Sequence, residues 1–117
     1  MKQSKENIII KAKQLMKDID WGYDNSKELD PFFESKEKQI LEYEDFKDHP
    51  NYKKVISQIK SYWTIGFDFE PEAEIEYNRI FLEIDDDTGE PFSIRHKQAI
   101  FKILKNSEGK YFTELNR

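Results

Sequence analysis

Ile8, Ala12, Leu15, Met16 and Ile19 recur at three- and four-residue steps, with Lys11, Lys13, Gln14 and Lys17 between them. That spacing predicts an amphipathic helix over about residues 5–20. Gly22, just past Asp20-Trp21, is placed to take the left-handed backbone that closes a helix. The polar run from Tyr23 to Glu28 reads as a loop. Asp30-Pro31 predicts a second helix over about 31–46, because Asp can cap and Pro fits the first turn; Phe33, Ile40 and Leu41 would face inward. A polar gap at Ser35 to Lys38 interrupts its period. After Asp48-His49-Pro50, the residues Tyr52, Val55, Ile56, Ile59, Tyr62 and Trp63 give the strongest helical period in the chain and predict a third helix over about 50–63.

From Thr64 the period changes to two. Phe67, Phe69, Pro71, Ala73, Ile75 and Tyr77 alternate with Asp68, Glu70, Glu72, Glu74, Glu76 and Asn78, which predicts strands with one buried face. Pro71 cannot donate to a ladder, so the expected arrangement is two strands, about 64–70 and 73–85, with a turn at Glu70 to Ala73. The apolar positions then change parity to Ile80, Leu82 and Ile84, which a bulge near Asn78-Arg79 would explain. Asp85 to Pro91 is a turn. From Phe92 to Asn106 the pattern allows two readings: a short strand followed by a helix, or a meander that turns at Asn106 to Gly109 and ends in a strand at Tyr111 to Leu115. Under both, the predicted class is α+β: N-terminal helices on an antiparallel sheet built from about 64–70, 73–85 and the C-terminal segment, in one domain spanning 1–117.

Composition supports a packed core. The 117 residues include seventeen aromatics and fourteen Ile, enough large apolar area to fold without disulfides or metal. There is no cysteine, which removes disulfide frameworks and thiolate chemistry and fits a reducing compartment. No stretch approaches the roughly 20 apolar residues of a membrane helix, and Ile8-Ile9-Ile10 is too short for a signal-peptide core. The expected location is the cytoplasm, with no membrane partner.

Charge changes the picture further. Residues 1–64 carry twelve Lys and twelve Asp/Glu; residues 65–91 carry ten Asp/Glu against Arg79 alone, a formal −9; residues 92–117 carry six Lys/Arg and two Glu, a formal +4. A field of one sign attracts the opposite sign. The candidate partner-binding residues are therefore those of the acidic stretch and the turn beside it: Asp68, Glu70, Glu72, Glu74, Glu76, Tyr77, Asp85, Asp86 and Asp87. Their expected target is a basic protein, a toxin or a nucleic-acid-binding protein. The competing expectation is that the offset is internal, with Ser93, Arg95 and Lys97, or Lys102 and Lys105, lying beside the acids.

No motif fixes a reaction. Asp85, Asp86, Asp87 and Glu90 surround a Gly, but an EF-hand loop needs Gly at the sixth position and Glu at the twelfth; counted from Asp85, Gly89 is fifth and His96 is twelfth. A solvated hairpin turn is the expectation. Glu108-Gly109-Lys110 has the Glu-x-Lys spacing of metal-dependent nucleases, a spacing that chance supplies in a chain this rich in Lys and Glu. His49 and His96 stand far apart and outside any metal-binding pattern. No nucleophile elbow or Gly-rich phosphate loop is present, and the −9 stretch would repel nucleic acid from the basic C-terminal segment. The sequence thus points to a non-catalytic cytoplasmic binding protein with no cofactor and no metal, an immunity or antitoxin type of inhibitor. The alternatives are a small metal-assisted hydrolase or nuclease with Lys110 as charge stabiliser, and an accessory subunit that docks through an exposed apolar patch. The pattern does not fix an oligomeric state.

Overall fold

A computed structural model describes residues 1–23, 28–68, 79–96 and 99–115. Helix α1 (Lys5–Asp18) is followed by strand β1 (Phe32–Glu34), helix α2 (Lys36–Leu41), a 3-10 turn (Glu44–Phe46), helix α3 (Tyr52–Ser57) and strands β2 (Tyr62–Asp68), β3 (Arg79–Asp85), β4 (Pro91–His96), β5 (Ala99–Lys105) and β6 (Tyr111–Leu115). The strands form one antiparallel sheet in the order β1-β2-β3-β4-β5-β6. The class is α+β.

Helix α1 forms where its period predicts. Ser4 caps it by accepting from the Asn7 N–H, and Ile8, Ala12, Leu15 and Met16 are its buried stripe. Its end differs from expectation. Asp20, not Gly22, takes the left-handed backbone, at φ 58°; Asp20 N–H bonds the Lys17 carbonyl and Trp21 N–H bonds the Met16 carbonyl. This pairing is a Schellman closure. It turns Trp21 back onto the core, where its ring meets Phe101 edge-on at 5.5 Å.

The second and third helices are shorter than their periods suggest. No helix starts at Pro31. Phe32–Glu34 instead pairs with Tyr62–Thr64 as a strand, which brings Phe33 to 5.0 Å from the Trp63 ring. Ser35 then caps α2 through the Lys38 N–H. Leu41, expected inside, is 67% exposed. Helix α3 stops at Ser57 because Tyr62 and Trp63 belong to β2: in an extended chain Trp63, Ile65 and Phe67 all reach the core, whereas a helix would carry only part of that set inward. None of α2, the 3-10 turn and α3 has a buried residue.

The core lies between α1 and one face of the sheet. Trp63, Ile65 and Phe67 of β2, Ile80, Leu82 and Ile84 of β3, Ile94 of β4 and Ile103 of β5 meet the α1 stripe. The parity of Ile80, Leu82 and Ile84 is as predicted. The irregularity in register falls between Glu83 and Ile84 opposite β4, while the bulge expected near Asn78-Arg79 and the turn expected at Glu70 to Ala73 lie outside the described residues. From Phe92 onward the meander is the structure: β4 to β5, then a turn closed by Asn106 N–H on the Lys110 carbonyl with Gly109 at φ 79°, then β6. No helix among the described residues is long and apolar enough to cross a membrane.

Candidate functional site

The face of the sheet turned away from α1 is flanked at its Tyr62 end by Gln39 of α2 and by Gln58 and Ile59 after α3. By strand alternation it carries Tyr62 and Thr64 of β2, Phe81 and Glu83 of β3, Ser93 and Arg95 of β4, Ile100, Lys102 and Leu104 of β5, and Phe112 and Glu114 of β6. The registers sort these side chains into bands. Phe81, Arg95 and Ile100 are directly opposite one another; Glu83, Ser93, Lys102 and Glu114 form the next band; Leu104 and Phe112 lie beyond. Phe92 joins the third band's side through an edge-on contact with Tyr62 at 6.2 Å. Phe81, Phe92, Ile100, Leu104 and Phe112 are between 37% and 43% exposed.

The polar band is held internally. Buried Glu83 accepts from Arg95 Nε at 2.9 Å and from the Ser93 hydroxyl at 3.0 Å. The Arg79 guanidinium bonds Asp68 at 3.2 Å and lies 5.4 Å from the Phe81 ring centre. It crosses Gly66 so closely that a Cβ there would meet its nitrogens at 2.7–2.8 Å. Burial pushes the Tyr62 phenol above its ordinary value, and the Glu83 carboxylate adds to the shift. Beside this end of the sheet, a cleft of about 510 Å³ runs between Gln39, Ile59, Lys60, Tyr62, Phe92 and Arg95. On the arm formed by α2 and α3, Tyr43, Phe46, His49, Tyr52 and Val55 line a second, largely apolar hollow of about 350 Å³.

The predicted docking acids divide into three groups. Glu70, Glu72, Glu74, Glu76 and Tyr77 lie outside the described residues. Asp87 is exposed and Asp68 and Asp85 are partly buried, and each has a cation: Lys2 at 2.9 Å, Arg79 at 3.2 Å and Lys60 at 3.7 Å. Asp86, expected on a solvated turn, is 2% exposed. It accepts from the Trp63 indole N–H at 2.9 Å and from the backbone N–H groups of Lys2 and Gln3 at 2.9–3.1 Å. Burial alone would raise its pKa; the hydrogen bonds outweigh that and hold the carboxyl below its ordinary value. Asp86 is an anchor for the N-terminal segment and offers no surface to a partner.

Glu90, the last acid of the segment, is bonded by Lys105 at 3.2 Å, faces Lys11 at 3.7 Å and accepts the Tyr111 hydroxyl. Here too burial works upward on the carboxyl, and the Tyr111 and Lys105 contacts bring it below its ordinary value. The Tyr111 phenol is raised, first by burial and then by Glu90. Tyr111→Phe is expected to destabilise the protein by about 1 kcal/mol, the usual cost of one internal hydrogen bond. Urea denaturation of both proteins at pH 7 checks this, and an unchanged midpoint would assign the bond no weight.

Among the described residues, every acid of 65–91 therefore has an internal partner, and Arg95, Ser93 and Lys105 supply part of the offset. The apolar bands were not among the predicted site residues. Their signal was present in Ile80-Phe81-Leu82, Ile100-Phe101, Ile103-Leu104 and Tyr111-Phe112: apolar residues at both parities of a strand put apolar surface on both faces of its sheet. Among the described residues no cluster of three or more His, Asp or Glu side chains is arranged to hold a metal ion. No protein-family model matches the chain, and neither the curated proteins nor the solved structures give a match.

Proposed function

We propose that the protein is a non-catalytic binding protein that holds a protein partner on the outer face of its sheet. The observation that carries this reading is the set of exposed apolar side chains on neighbouring strands, Phe81, Phe92, Ile100, Leu104 and Phe112. An antiparallel sheet that only faces water alternates apolar inside with polar outside; large apolar groups on its open face, rimmed by polar ones, mark an interaction surface. Arg79 and Arg95 stand among the aromatics, the combination that dominates binding energy in protein interfaces.

The finer reading is an immunity or antitoxin type of inhibitor acting in the cytoplasm on a basic toxin or nucleic-acid-binding protein. Its support is the sequence. Glu70, Glu72, Glu74 and Glu76 stand in the ten residues between β2 and β3, and such a density of negative charge speeds association with a basic partner and makes it salt-sensitive. In this division of labour the apolar bands supply affinity and the glutamates supply steering.

The test is affinity capture from lysate of the source organism at low and high salt, followed by binding measurements on the captured protein. Phe81→Ser/Phe92→Ser is expected to weaken binding about 30-fold or more, the scale of a pair of interface hot spots. Glu70→Gln/Glu72→Gln/Glu74→Gln/Glu76→Gln is expected to slow association and flatten its salt dependence. A partner that binds both variants as tightly as the parent protein would sink the proposal, as would recovery of no specific protein.

A further inference from the structure

We propose that the outer edge of β6 pairs with the β6 of a second copy of this chain, antiparallel and centred on Phe112, so that two sheets join into one. The proposal goes beyond the partner-binding face, since it concerns the edge of the sheet and a different occupant.

The two edges of the sheet differ. At one end β1 is three residues long and follows Pro31, and a short strand beside a proline makes a poor template. At the other end β6 runs Tyr111–Leu115 without proline, and among the described residues no strand lies beyond it. The Lys110 carbonyl is turned to the β5 side, where it accepts from Asn106 N–H. Backbone groups alternate along a strand, so those of Tyr111 and Thr113 point out from the sheet. The Tyr111 N–H confirms the direction: it is taken by the Asp18 carboxylate at 3.2 Å.

What selects a second copy is the sequence of that edge. Lys110-Tyr111-Phe112-Thr113-Glu114 is complementary to itself when reversed. Laid antiparallel about Phe112, it places Lys110 opposite Glu114, Tyr111 opposite Thr113 and Phe112 opposite its own copy. Phe112 and its copy then form a non-hydrogen-bonded pair, the kind in which side chains approach most closely, flanked by two hydrogen-bonded Tyr111–Thr113 pairs. The Tyr111 N–H exchanges the Asp18 carboxylate for a Thr113 carbonyl.

The surroundings favour the same register. On the outer face Leu104 is directly opposite Phe112, so pairing makes one apolar band, Leu104-Phe112-Phe112-Leu104, across both copies. Lys102 is directly opposite Glu114, so the partner's Lys110 gives that carboxylate a cation on each side. Shifting the centre to Thr113 would set Phe112 against Glu114 and lose both gains. Opposite charges directly across a ladder stabilise it and like charges destabilise it.

Sedimentation equilibrium of the full chain tests the proposal, with two kinds of variant. Thr113→Pro removes an N–H that points away from β5, so the fold is expected to survive, which a thermal melt checks, while the proposed ladder cannot form. Lys110→Glu sets like charges against each other twice by symmetry and is expected to weaken the dimer about tenfold, and Lys110→Glu/Glu114→Lys to restore it. If Thr113→Pro does not fold, the charge variants decide alone. The expected result is a concentration-dependent dimer that both Thr113→Pro and Lys110→Glu weaken. A chain that stays monomeric to about 1 mM, or a dimer indifferent to these variants, overturns the proposal. That failure is separable from failure of the partner reading, because Phe81 and Phe92 lie on β3 and β4 and partner binding is measured on the monomeric variants as well.

Discussion

Asp86→Ala is expected to lower stability by about 3 kcal/mol, more than removal of any other described acidic side chain. The carboxylate is 2% exposed and takes the Trp63 indole N–H and the Lys2 and Gln3 backbone N–H groups. Without it a buried indole N–H has no acceptor, at about 1–3 kcal/mol, and hydrogen bonds to a charged group are lost as well. The loss is a large share of the roughly 5–15 kcal/mol that holds a domain of this size. The effect should also depend on pH. The folded state holds the Asp86 carboxyl below its ordinary value, so the ionised form favours folding. Its contribution is complete above the unfolded value, near 3.9, and declines as pH falls from there through the lower folded value. Asp86→Asn removes that titration. Urea denaturation at pH 7 and pH 3 should therefore show a wide gap between parent and Asp86→Asn that narrows in acid. A loss below about 1 kcal/mol for Asp86→Ala at pH 7 would mean that the N-terminal segment is not anchored here.

Asp86 also shows where sequence patterns stop. Three consecutive aspartates before Thr88-Gly89 are a turn signal, and the turn forms, with Gly89 at φ 72° and its N–H on the Asp85 carbonyl. Within it, the alternation that continues from β3 turns Asp85 and Asp87 out and Asp86 in, toward an indole 23 residues earlier in the chain. Local pattern carries no information about that partner. Helix α1 was legible because each of Ile8, Ala12, Leu15 and Met16 faces the same sheet. The periods of 31–46 and 50–63 misled because they mix two elements: Phe33 and Trp63 pack against each other from paired strands, while the helical residues between them stay near the surface. Gly22 was the better left-handed candidate by propensity, yet Asp20 takes the position because Trp21, the next residue, must return to the core. The charge asymmetry was legible as a sum, but its meaning depended on pairings such as Glu83–Arg95 and Glu90–Lys105 that the folded sheet creates. Once Phe92 to Asn106 is read as two strands, Ile100 and Leu104 fall on the open face, and Phe92 joins them only through the irregularity in register between Glu83 and Ile84.

Leu82→Ala is expected to cost about 3–4 kcal/mol, and Phe46→Ala less than about 0.5 kcal/mol, although phenylalanine is the larger side chain. Leu82 sits in the middle strand pair, directly between Ile65 and Ile94, and is 0% exposed. Truncation there leaves a cavity walled by ladders on both sides and by α1 above, none of which can close without moving the others. Phe46 is 58% exposed on an arm with no buried residue from Lys36 to Ser57, so its truncation removes little that folding had sheltered. The same contrast should appear in hydrogen exchange: amides of β2, β3 and β4 opening only with the whole fold, and those of α2 and α3 opening at much lower free energy. Equal losses for the two variants, or equal protection, would mean that the arm is packed as firmly as the sheet. The expected inequality would instead leave the arm free to adjust beside the cleft at Tyr62, Phe92 and Arg95 while the sheet holds the outer face rigid, a division suited to a protein that binds through that face.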